Sequence, residues 1–80
     1  MSHEETLSLP DLECPMPVLR AKKRLAALEP GDLLHVASTD KHSLDDLAQF
    51  CRQTGHGLEA QTTEERDGRA WFITTIRRKA

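Results

Sequence analysis

From Thr6 to Leu9 polar and apolar residues alternate, the period-two pattern of a strand with one buried face, and Pro10-Asp11 stops it. The period then lengthens. Between Pro15 and Leu28 the apolar positions Val18, Ala21, Leu25 and Leu28 recur at helical spacing, with Leu19 and Ala26 widening the stripe, until Glu29-Pro30-Gly31-Asp32 ends the helix. Leu33 to Ser38 is almost continuously apolar, which suits a central strand covered on at least one face. Ser43 with Asp46 three residues on resembles a capping box, Asp standing in for Glu, and opens a second helix. Its stripe is Leu44, Leu47, Ala48 and Cys51, with Phe50 beside it, and Gly55 supplies a left-handed stop. Leu58 to Thr63 and Ala70 to Ile76 are two strands joined near Arg66-Asp67-Gly68-Arg69, where Asp-Gly is a strong hairpin signal. The last strand holds most of the β-branched and aromatic residues, which places it inside the sheet.

The order β-α-β-α-β-β predicts an α+β fold: a two-layer α/β sandwich, a four-stranded mixed sheet with both helices on one face. The opposite face, with residues such as Thr74 or Arg77, is expected to be open. Eighty residues at 38% hydrophobic content make one domain, residues 1–80, with 1–5 expected to be disordered. A chain this short buries only about 60% of its unfolded surface, so its core is economical.

Charge and cysteine usage change this picture little. A net charge of −2 gives no global pull toward nucleic acid or membrane. Arg20, Lys22, Lys23 and Arg24 form a basic run on the first helix, read either as a solvated face or as a docking surface for an acidic partner or RNA. No apolar run approaches a membrane span, and the start of the chain is acidic where a secretory signal would be basic. Two distant cysteines argue against a disulfide scaffold and suit a reducing compartment, so the expected location is cytoplasmic. His3, His35, His42 and His56 lack metal-ligand spacing, and no metal or cofactor is expected. His56, at a helix exit, is placed to titrate near neutrality or to be an ordinary surface histidine.

The candidate chemistry lies in Leu12-Glu13-Cys14-Pro15-Met16-Pro17-Val18. Pro15 and Pro17 are tolerated only in a helix's first turn, which makes Cys14 the N-cap candidate. The prolines delete two of the first helical amides, leaving those of Cys14 and Met16 to face whatever occupies the terminus. The positive end of the helix dipole would depress the Cys14 pKa and make it a reactive thiolate. Pro17 stands where a dithiol motif would carry its second cysteine, so a single-thiol mechanism follows: attack on an electrophilic sulfur, storage as a persulfide, release to an acceptor. Cys51 instead reads as a small core hydrophobe.

The same residues resemble the Cys-Pro-x-Pro signature of the TusA family of small sulfur-transfer proteins, also called SirA-like. The likeness extends over residues 7–78: Glu29-Pro30-Gly31-Asp32 resembles the family's turn before a strand, Asp40 to Asp46 its second helix entry, and Phe50-Cys51 with Gly55-His56 its exit. The family usually places glycine at position 11 and proline at 41, where this chain has Asp11 and Lys41. The resemblance implies strand order 1-2-4-3 with the last strand antiparallel. It also implies a sulfur carrier or sulfurtransferase working through Cys14, supported by Pro15, Met16 and Pro17. Its partners would be a sulfur-donor protein, a cysteine desulfurase or rhodanese-like protein, and a sulfur-acceptor protein. Relays of this family feed tRNA thiolation, molybdenum cofactor biosynthesis or sulfur oxidation. No membrane association or direct nucleic-acid binding is expected. The alternatives are a non-enzymatic regulatory or RNA-binding module and a redox sensor whose lone thiol is capped reversibly.

Overall fold

Apolar residues spaced by two on strands and by three or four on helices meet in one cluster. Leu9, Leu34, Val36 and Ile76 of the sheet pack against Ala21, Leu25, Leu28, Leu47, Phe50 and Cys51. The structure, a computed structural model, describes residues 3–80. Its elements are β1 (Glu4–Leu9), α1 (Met16–Ala26), β2 (Leu33–Ser38), α2 (Ser43–Thr54), β3 (Gly57–Arg66) and β4 (Arg69–Arg77). The strand order is β1-β2-β4-β3. β1 runs parallel to β2, while β4 is antiparallel to both β2 and β3. Both helices cover one face, and β4 is an interior strand, as its composition predicts. Among the described residues no helix is long and apolar enough to cross a membrane.

The hairpin forms at the Asp-Gly pair: Asp67 and Gly68 both have positive φ, 51° and 78°, the two-residue turn whose twist matches the flanking strands. β2 ends opposite Phe72, whereas β3 and β4 stay paired out to Arg66 and Arg69, so the hairpin projects past the end of β2. There Arg69 donates to Asp11 at 2.7 Å. Asp11 has φ 64°, which explains why glycine would suit the position, and its amide donates to Thr39 Oγ1 at 2.9 Å. The contacts on both sides of Asp11 hold the loop that leads to Cys14.

Several expectations are corrected. Residues 1 and 2 lie outside the described residues, but Glu4 and Glu5 are strand, paired with Leu33 and Leu34. Their carboxylates reach His35 and Arg24, which gives the chain start more to hold it than its composition suggests. Thr74 does not belong to the open face: it is fully buried on the helix side with Ile76, and its hydroxyl accepts from Gln61 at 3.2 Å, while Arg77 is exposed. Leu19 and Ala26 point to solvent, and Pro17 takes a buried place on α1. Ser43 is the first residue of α2 rather than its cap; His42 is the cap and makes no side-chain capping bond. The Ser43 hydroxyl is buried without a partner. Asp40 takes over the capping work, its carboxylate accepting the His42 amide at 3.0 Å and its carbonyl the Ser43 amide at 3.0 Å.

Candidate functional site

Cys14 lies two residues before the first residue of α1, whose N-cap is Pro15, and is therefore not itself the cap. The Cys14–Pro15 peptide is cis. Pro17 is buried in the first turn, Pro15 is exposed, and Met16 is half-buried between them. The amides expected to be free at this terminus are both engaged. Met16 donates to the Glu13 carbonyl at 2.8 Å, and Cys14 donates to Asp40 Oδ2 at 2.8 Å. Cys14 is exposed and unbridged, whereas Cys51 is a buried free thiol.

Asp40 ties the two helix starts together. One carboxylate oxygen holds the Cys14 amide and the other the His42 amide, and these donors keep its pKa below the ordinary aspartate value, with the His42 amide the larger influence. A carboxyl whose pKa is lowered on folding adds stability that is fully present above its unfolded value and is lost as the pH falls through its folded one. Asp40→Ala is therefore expected to cost about 2 kcal/mol at neutral pH, from the loss of charge-assisted bonds at two backbone donors. The deficit should shrink on acidification below the normal aspartate range. Chemical unfolding of both proteins at neutral pH and near pH 3 checks it; a gap that stays constant would remove Asp40 from this role.

Cys14, Pro15 and Val18 of one segment face Asp46, Gln49, Phe50 and Gln53 of α2 across an open groove of about 260 Å³. The Asp46 carboxylate faces the Cys14 thiol across this groove, in position to accept its hydrogen bond. That bond, followed by partial desolvation and the charges of Asp46 and Asp40, raises the Cys14 pKa. The expected depression is thus reversed. A helix terminus offers roughly half a unit of positive charge, whereas Asp46 brings a whole negative charge within hydrogen-bond reach. Asp46→Asn should speed alkylation of Cys14 by iodoacetamide at pH 7 several-fold, read by mass spectrometry. An unchanged rate would contradict the assignment.

The basic run divides. Arg20, Lys23 and Arg24 line a groove with Leu7 and Ala27, and Arg24 pairs with Glu5. Lys22 opens onto a separate groove with Phe50, His56, Arg78 and Lys79. His56 is half-buried, stacked on Phe50 at 5.7 Å, and accepts the Lys79 amide at 3.1 Å. Burial, then the positive charges of Lys79 and Arg78, hold its pKa below the usual histidine value, so it is neutral at physiological pH. Asp40 and Asp46 are the site residues that sequence reasoning misses as such; the signal was present only as a helix-entry pattern.

The sequence model of the family described as Sulfurtransferase TusA matches residues 5–78. A Neisseria meningitidis serogroup A protein named as a proposed sulfur carrier is 48% identical over 66 residues, 82% of this chain and 86% of that protein. The sulfur carrier protein TusA of Allochromatium vinosum is 40% identical over 70 residues, 88% of this chain and 90% of the relative. Among solved structures, the SirA-like protein of Desulfitobacterium hafniense superposes with a TM-score of 0.67 at 29% identity, covering 89% of this chain and 93% of the other.

Proposed function

The chain belongs to the TusA sulfurtransferase family, and from that premise we propose that it carries sulfur as a persulfide on Cys14, received from a donor protein and passed to an acceptor. The observation that carries this reading is one exposed, unbridged thiol at the entry to α1, in Cys-Pro-Met-Pro, with no second thiol beside it in the sequence. The names of the relatives agree with it. Cys14 attacks the outer sulfur of a donor persulfide; the donor's S–S bond breaks, a new one forms on Cys14, and the donor leaves as a thiol. The acceptor then repeats the exchange. Donors of the right chemistry are a cysteine desulfurase or a rhodanese-like protein. Pro15, Met16 and Pro17 set the backbone that presents the sulfur.

The raised Cys14 pKa supports a resting thiol rather than a permanently reactive thiolate, which suits a carrier that should not discharge at random. The test is the intact mass of the protein after incubation with a cysteine desulfurase and free cysteine. A gain of one sulfur, removed by reductant, is expected from this donor or, in a second arm, from a persulfide-loaded rhodanese-like protein; no gain in either arm would overturn the reading.

Arg20, Lys22, Lys23 and Arg24 are proposed as the partner-docking run. These residues are exposed on two sides of α1, where opposite charge on a partner would speed encounter. Lys22→Glu with Lys23→Glu is expected to slow sulfur delivery at low salt and weaken its salt dependence, with the circular dichroism spectrum unchanged. Identical transfer kinetics would return the run to an ordinary solvated face.

A further inference from the structure

We propose that His42 is the proton acceptor for Cys14 during sulfur loading, with Asp40 as the residue that orients it. Three features place it there. Asp40 Oδ1 lies 3.2 Å from His42 Nδ1, while Oδ2 of the same carboxylate holds the Cys14 amide at 2.8 Å, so one side chain fixes both partners. His42 and Cys14, with Glu13 and Asp40, line one open cavity of about 420 Å³. His42 also stands one helical turn before Asp46, whose amide donates to the His42 carbonyl at 3.1 Å. Residues four apart share a helix face, so His42 stands on the same face as Asp46, which lines a groove with Cys14.

The chemistry selects the imidazole. Ionised Asp40 can only accept, so the proton on the ring sits on Nδ1 and the lone pair is left on Nε2. Asp46 faces the resting thiol, but toward a thiol proton a carboxylate is a far weaker base than an imidazole. The charged groups that share the ring's cavity are Asp40 and, from the segment before α1, Glu13, while Lys41 adjoins His42 in the chain and Asp46 stands one turn further along α2. The ring is mostly exposed, with 82% of its side-chain surface accessible, so it can turn within the cavity it shares with Cys14 without repacking the core.

The step balances. Nε2 takes the Cys14 proton as Sγ attacks the outer sulfur of a donor R–S–SH. The donor S–S bond breaks, the Cys14 S–S bond forms, and the departing R–S⁻ recovers a proton from the imidazolium. One thiol replaces another and there is no net oxidation.

This inference rests on the carrier reading, and the experiment separates the two. Glutathione persulfide is the probe, and loading of the full chain carrying Cys51→Ala is timed by mass spectrometry between pH 5.5 and 9. The parent is expected to show a step of rate loss on acidification. His42→Gln should be about a hundredfold slower at pH 7, the lower end of what general-base catalysis contributes, and should lack that step. His42→Ala should regain part of its rate when free imidazole is added, a recovery that a merely structural contribution would not produce. Equal pH profiles in parent and His42→Gln, or a slow His42→Ala that imidazole does not restore, overturn the role of His42 while leaving the carrier reading intact. A parent that takes up no sulfur overturns both.

Discussion

Cys14→Ser is expected to fold as the parent does and to carry no sulfur. The side chain is exposed at the entry to α1, and the backbone amide that donates to Asp40 survives the substitution. A serine hydroxyl cannot hold sulfane sulfur, so the loss of loading should be complete rather than partial. Alkylation at Cys14 disappears with it. Cys51→Ala should do the reverse. Cys51 is 4% exposed within the core cluster, and burial raises its pKa, so it offers no thiolate to a donor. Its truncation should cost about 1 kcal/mol and leave loading unchanged. Peptide-level mass spectrometry under conditions that preserve persulfides decides between the two cysteines: sulfur found on Cys51, or relay by Cys14→Ser, would remove Cys14 as the working nucleophile.

Leu47→Ala carries the largest expected loss of stability. Leu47 is fully buried at the centre of α2, within the cluster formed with Leu25, Leu34, Val36 and Ile76. Removing a buried leucine side chain costs about 2–5 kcal/mol, against a total of about 5–15 kcal/mol for a typical domain. In a domain of this size the melting temperature should fall by about 10 °C or more. The consequence reaches the site because Asp46 is the residue next to Leu47 and α2 has nothing else so deeply buried near its start except Ser43. As α2 loosens, Asp46 is held less firmly on the Cys14 thiol, and alkylation at neutral pH should accelerate toward that of Asp46→Asn. Urea unfolding followed by Trp71 fluorescence gives the stability, and mass spectrometry the alkylation rate. A loss below about 1 kcal/mol would show that the packing of α2 on the sheet is not what holds it.

Local pattern was enough for most of the fold. β2 and α2 span the residues the apolar periods predict, and the Asp67-Gly68 turn forms because both residues accept positive φ. The misplaced residues are those whose face is set by a neighbour distant in sequence. Thr74 looked polar enough for solvent, but its register opposite Val36 puts it under the helices, where Gln61 satisfies it. Ser43 had the right spacing for a cap, but Asp40 is already bonded there, and the Ser43 hydroxyl is left inside.

The sequence by itself determined that a lone cysteine would stand at a helix entry, because two prolines one residue apart are tolerated in a helix's first turn and hardly anywhere within it. That inference needs only the residues adjacent to Cys14. The protonation of the sulfur was decided by the tertiary structure. Packing α2 beside α1 brings Asp40, 26 positions away, onto the Cys14 amide and Asp46 onto its thiol. Charge acts through space, and at hydrogen-bond distance a full carboxylate outweighs the partial charge of the helix end from which the sequence alone predicts a thiolate.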